Sequence, residues 1–128
     1  MIYLDSSVAL AHLLSEGRSP PLSLWREEVI SSRLLEYEVW NRIHARGFAR
    51  SHTAETHTLI DRVVLFDLSP TVLARAMEPF PLAVRTLDAL HLATIEYLRG
   101  EGQMIELASF DRRLLAAARA LDVQLYQL

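Results

Sequence analysis

The chain has 128 residues, 51% of them apolar, which is the size of one ordinary domain with enough apolar surface for a packed core, so disorder is excluded. It has no cysteine, which excludes disulfide scaffolds, thiolate metal sites and cysteine nucleophiles. All 13 basic residues are arginine against 16 acids, so the net charge of −3 does not advertise a nucleic-acid binder, and the lack of lysine removes P-loop, Schiff-base and phospho-receiver chemistry.

Ile2-Tyr3-Leu4 is a short apolar run that reads as a buried strand, followed by a helix that Ser6 or Ser7 caps and Gly17 stops. Ser19-Pro20-Pro21 is a turn, and Leu22 to Glu28 a short helix with proline at its start. Val29-Ile30 is a second strand ending at Ser31-Ser32. A strong helix from Arg33 to Arg46 follows, closed by Gly47, and another runs from Arg50 to about Arg62. Val63 to Phe66 is a third strand, and Ser69-Pro70 opens a short helix as cap and first position. After the break at Pro79-Phe80-Pro81, a long helix runs from Thr86 to Arg99, with Gly100 and Gly102 at its end. Met104 to Ala108 is a fourth strand, Asp111 to Leu121 a helix and Val123 to Tyr126 a fifth strand. Strands alternating with helices predict a parallel sheet covered on both faces, with ligands at the carboxyl ends of the strands. No linker, repeat or low-complexity stretch interrupts residues 1–128, so a single domain is expected. Neither a basic leader nor an apolar run near the ~18 residues of a membrane span is present, so the expectation is a soluble cytoplasmic protein without membrane contact.

Four acids fall where such a sheet carries its site. Asp5 ends the first strand, Asp111 lies just past the fourth, Glu38 is on the helix after the second, and Asp88 is in the first turn of the long helix. Asp88 and Asp111 also read as a first-turn acid and a helix cap, worth ~0.3–1 kcal/mol and ~1 kcal/mol respectively. Asp5 is harder to explain that way, because its segment is otherwise apolar. Glu36 and Glu38 point about 200° apart on one helix. Only one can face the sheet, and Glu38 borders Leu34, Leu35 and Val39, so Glu38 is the choice. Converging carboxylates repel, and the usual compensation is a hard divalent cation such as Mg²⁺ or Mn²⁺, which activates water in phosphoryl chemistry.

Asp5-Ser6-Ser7, Ser32 with Glu38-Val39, Leu87-Asp88-Ala89-Leu90-His91-Leu92-Ala93 and Ser109-Phe110-Asp111-Arg112-Arg113-Leu114 resemble the four acidic motifs of the PIN domain, in its VapC-type toxin variety. The resemblance spans the whole chain, and the segments from Asp88 and from Ser109 are its most specific parts. It implies a three-layer α/β/α fold around a central, mainly parallel sheet of about five short strands. It implies the toxin of a type II toxin–antitoxin pair, an Mg²⁺- or Mn²⁺-dependent endoribonuclease with Asp5, Glu38, Asp88 and Asp111 as catalytic and metal-binding acids. Ser7 and Ser109 sit where the family has small hydroxyl residues that hydrogen-bond the acids. A cognate antitoxin whose tail occupies the acidic cleft, and a homodimer, are implied in the same way. Alternatives are a PIN-like nuclease acting in RNA processing or on DNA, or a catalytically silent PIN-like binding module.

The remaining polar residues divide less sharply. Arg42, Arg46 and Arg50 follow Glu38 at about one-turn spacing and Arg112 and Arg113 adjoin Asp111. They read as RNA phosphate contacts or as solvated helix faces, and Arg85 beside Asp88 divides the same way. His91 lies on the same helix side as Asp88 and reads as a satisfied structural histidine, or as a substrate contact or a holder of the acid. His44, His52 and His57 lack metal-site spacing and read as surface or interface residues, and His12 as helix-packed. Tyr37, Trp40, Phe48 and Trp25 are core or a partner groove. With four acids committed to one pocket, 12 remain against 13 arginines, so the rest of the chain is mildly basic.

Overall fold

The computed structural model describes all 128 residues. Five strands form one sheet: β1 (Ile2–Leu4), β2 (Val29–Ser32), β3 (Val64–Phe66), β4 (Glu106–Ala108) and β5 (Gln124–Leu125). Their order is β3-β2-β1-β4-β5, and every pairing is parallel. Six helices accompany them: α1 (Ser6–Leu14), α2 (Leu34–Ala45), α3 (Ala49–Asp61), α4 (Pro70–Ala76), α5 (Thr86–Gly100) and α6 (Arg112–Ala120).

The three layers follow from side-chain alternation in the strands. Ile2 and Leu4 of β1 face one core with Val8 and Leu10 of α1, Val39 and Ile43 of α2, and Leu59 of α3. Tyr3 faces the other core, with Leu92, Ile95 and Leu98 of α5 and Leu114 and Ala117 of α6. Fully burying one such leucine or isoleucine contributes about 1.5–3 kcal/mol, so the two faces hold the sheet from both sides. Right-handed crossovers produce this division when the chain steps from β1 toward β3 and then returns past β1 toward β5. The two halves part between β1 and β4, which pair from Ile2↔Glu106 to Leu4↔Ala108. Asp5 and Ser109 therefore leave the sheet side by side at the crevice of the topological switch point.

Most element limits agree with the sequence reading, and the differences have local causes. α1 is capped by Asp5, not by Ser6 or Ser7. It stops at Leu14 because Ser15 takes a left-handed conformation (φ 49°), three residues before the stop expected near Gly17. The segment after Pro21 is a five-residue 3-10 turn, Leu22–Arg26. β4 starts at Glu106 rather than Met104, since the chain is still leaving the Gly102 turn (φ 89°) and Met104 is 82% exposed. β5 is only two residues long, paired with Glu106 and Leu107 of the three in β4. No helix is long and apolar enough to cross a membrane.

Candidate active site

A cleft of about 840 Å³ opens over the carboxyl ends of β1 and β4. Asp5, Glu38, Asp88 and Asp111 all line it, each brought from a different element. The two glutamates paired in the sequence point to different surroundings. Glu38 faces the cleft, while Glu36 lies outside against Arg33 at 3.4 Å.

Asp5 is 5% exposed at the junction of β1 and α1. Its Oδ2 accepts from Ser7 Oγ (2.6 Å), Ser109 Oγ (2.8 Å) and the Ser7 backbone N–H (3.4 Å). The two serines act as couplers. Ser7 Oγ also accepts from the Phe110 N–H and Ser109 Oγ from the Asp111 N–H, both at 2.9 Å. The hydroxyl positions that sequence resemblance singles out thus grip Asp5 and tie the β1–α1 corner to the β4–α6 corner.

Glu38 is held directly from two elements, α1 and α5. Its Oε2 accepts from Ser6 Oγ at 3.2 Å, and its Oε1 is bonded by Nε2 of His91. The other ring nitrogen, Nδ1, lies 2.8 Å from the hydroxyl of Tyr3, which is fully buried in the sheet. Burial by itself disfavours a charged His91. The Tyr3 oxygen, the bond to Glu38 and the charges of Glu38 and Asp5 outweigh it and raise the ring to about 10. Both ring nitrogens thus have a polar partner, Nε2 on Glu38 and Nδ1 on Tyr3. His91 is therefore a satisfied buried histidine, and the acid it holds is Glu38, not its helix neighbour Asp88.

Asp111 divides its two oxygens. Oδ1 caps α6 by accepting from the N–H groups of Arg113 (2.9 Å) and Leu114 (3.3 Å), and Oδ2 faces the cleft. The cap reading of this residue is met by one oxygen alone, which leaves the other free of the helix. Asp88 is raised above the usual carboxylate range, first by burial and then by Asp111 and Asp5, with Arg85 opposing. Arg85 bridges the two aspartates: its Nε donates to Asp88 Oδ2 at 3.0 Å and its Nη2 to Asp111 Oδ2.

Arg42 and Arg46 line the same cleft on the α2 side, Arg46 in contact with Glu16 at 3.3 Å. Arg112 does not: it is exposed on the first turn of α6, outside the cleft lining, so it does not join Arg42 and Arg46 there. Trp25, Trp40 and Phe48 pack against the core, whereas Tyr37 is 60% exposed. His12 is an exposed residue of α1 whose ring lies against Trp25, with centroids 4.9 Å apart. Sequence reasoning missed Tyr3 and Ser6 as supports of Glu38. A hydroxyl inside an otherwise apolar strand was the available signal for Tyr3, since a buried Tyr O–H normally finds a polar partner.

The donors that meet in the cleft are carboxylate oxygens, the set a hard divalent cation takes. No three of these groups stand as a ready-made cage. Glu38 is engaged by Ser6 and His91, and Arg85 lies between Asp88 and Asp111. The donor chemistry fits such an ion, and the arrangement requires Arg85 to give way to it.

An acid-lined crevice at the switch point of a small parallel α/β sheet defines the class, and a family model described as PIN domain matches residues 2–120. The chain belongs to the PIN domain family, and within it to the VapC type. It is 29% identical over 126 residues to Ribonuclease VapC47 of Mycobacterium tuberculosis (strain CDC 1551 / Oshkosh), covering 93% of this chain and 90% of that protein. It is 30% identical over 128 residues to Ribonuclease VapC35 of Mycobacterium tuberculosis (strain ATCC 25618 / H37Rv), with 96% and 93% covered. Ribonuclease VapC46 of the same strain is 30% identical over 125 residues, with 95% and 93% covered.

Proposed function

We propose that this chain is the toxin of a type II toxin–antitoxin pair and acts as a Mg²⁺- or Mn²⁺-dependent endoribonuclease, with residues 1–128 forming one nuclease domain. The observation that carries this reading is the gathering of Asp5, Glu38, Asp88 and Asp111 in one cleft of a chain whose ribonuclease relatives align along nearly its whole length. These four would hold the metal, with Asp5 and Asp88 as the most direct ligands. When bound, the ion supplies an activated water and stabilises charge on the phosphate oxygens.

The chain's own residues do the rest. Ser7 and Ser109 fix the Asp5 carboxylate, and Ser6 and the His91 ring fix Glu38, so two acids are oriented before any ligand arrives. Arg42 and Arg46 on the cleft rim suit the RNA backbone. A cognate antitoxin tail reaching the acids with a cation would close the same cleft by charge complementarity. We also expect a homodimer in the cytoplasm, as in the family.

The test is cleavage of RNA by the purified protein with Mg²⁺ or Mn²⁺, against Asp5→Asn and chelator controls. Water attack leaves a 5′-phosphate and a 3′-hydroxyl. Cutting that survives both controls, a 2′,3′-cyclic phosphate end, or action confined to DNA would overturn this reading. On expression, growth arrest with mapped RNA cuts, absent in Asp5→Asn and relieved by the cognate antitoxin, is the expected cellular result.

A further inference from the structure

Of the cleft arginines, Arg85 alone is ion-paired with the aspartates; Arg46 is paired with Glu16, away from them. Arg85 is the residue just before α5, in extended conformation (φ −75°, ψ 161°), and this aims its side chain back over the helix start. Its guanidinium spans two elements, joining Asp88 in the first turn of α5 to the cleft-facing Oδ2 of Asp111 at the start of α6. The side chain is 55% exposed, whereas that of Asp88 is 13% exposed. The cation therefore covers the acids from the solvent side and can leave without uncovering a core.

Partly buried carboxylates that face one another need positive charge, and a planar fork supplies it to two of them at once. A divalent ion that takes the same two oxygens must displace that fork. We propose that Arg85 is a tethered counter-cation that occupies Asp88 and Asp111 until a divalent ion replaces it, so that the chain sets its own threshold for metal uptake. This rests on the reading of the cleft as a divalent-cation site and adds a competitor built into the chain. Released from the acids, the guanidinium stays at the cleft wall on its short tether, next to Thr86.

The test is Mn²⁺ binding to the purified protein without RNA, followed by calorimetry or by the paramagnetic signal of free Mn²⁺. Wild type is compared with Arg85→Ala, Arg85→Lys, Arg42→Ala and Asp88→Asn. Losing two half-exposed contacts in Arg85→Ala lowers the dissociation constant about three- to tenfold. Arg85→Lys falls between, because a lysine keeps the charge and loses the fork. Arg42→Ala removes the same charge from the rim without touching the aspartates, and it shifts affinity less. Equal affinity in Arg85→Ala and wild type, or equal shifts in Arg85→Ala and Arg42→Ala, overturns the competitor while leaving the metal site standing. Absence of Mn²⁺ uptake by every form, or full uptake by Asp88→Asn, overturns both.

Discussion

Asp5 Oδ2 accepts three hydrogen bonds from Ser7 and Ser109, so its other oxygen, Oδ1, is the one left for a ligand. The serines earn no stability as isolated hydroxyls; each also satisfies a backbone N–H across the crevice. Ser109→Ala would strand the Asp111 N–H and one lone pair of Asp5 in a buried place. It should lower the unfolding free energy in urea by about 1–3 kcal/mol, and a loss below that range would mean water replaces the hydroxyl. Tyr3→Phe removes the hydrogen-bond partner of the buried His91 Nδ1 and should also cost about 1–3 kcal/mol, whereas Tyr97→Phe, at an exposed ring, should stay within about 0.5 kcal/mol of wild type. At this scale the sequence was partly legible. Helical geometry separated Glu38 from Glu36, because both lie on one helix and the apolar residues mark its inner side. The Tyr3–His91–Glu38 chain was not legible, since it joins a strand to two helices separated by 53 to 88 positions, and spacing within one element says nothing about which residue of another will meet it. The hold of Arg85 on Asp111 was hidden for the same reason.

The elements were the most readable level, because each begins or ends on a residue with a physical reason to be there. Ser69 caps α4 through the Val72 N–H with Pro70 behind it, and Gly47 ends α2 at φ 69°. Gly47 meets nothing within 4 Å of an added Cβ, so the cost of Gly47→Ala is backbone strain alone, about 1–2 kcal/mol in thermal or urea unfolding. Gly100, the last residue of α5, is equally uncrowded and has no positive φ. There alanine should be neutral or stabilise by up to ~1 kcal/mol. Two glycines in similar space should thus shift stability in opposite directions; equal shifts would show that the left-handed turn is not what Gly47 supplies. The limits that were misjudged are those set by partners elsewhere. β5 pairs with only two residues of β4, and α1 stops at a left-handed serine that no propensity argument favours.

For the molecule as a whole, net charge is a poor guide, because the cleft concentrates acids while its α2 rim carries Arg42 and Arg46. If both rim arginines meet phosphates, Arg42→Gln with Arg46→Gln should flatten the plot of log affinity for single-stranded RNA against log salt by about 1.4 in slope. An unchanged slope would assign them to solvent. The layered fold was legible because alternating strands and helices leave few ways to bury both sheet faces, and the position of the acid-lined cleft followed from the strand ends. The same topology carries a consequence for how the chain is born. The strand that ends in Asp5 finds its neighbour β4 only at residues 106–108, and Ser7 reaches Ser109 across 102 positions. At roughly 5–20 residues per second, about 5–20 s separate the synthesis of Asp5 from that of Asp111. Through that interval a nascent chain holds Asp5 without Ser109 beside it or Asp111 across the cleft, so the four acids cannot meet until the chain is nearly finished.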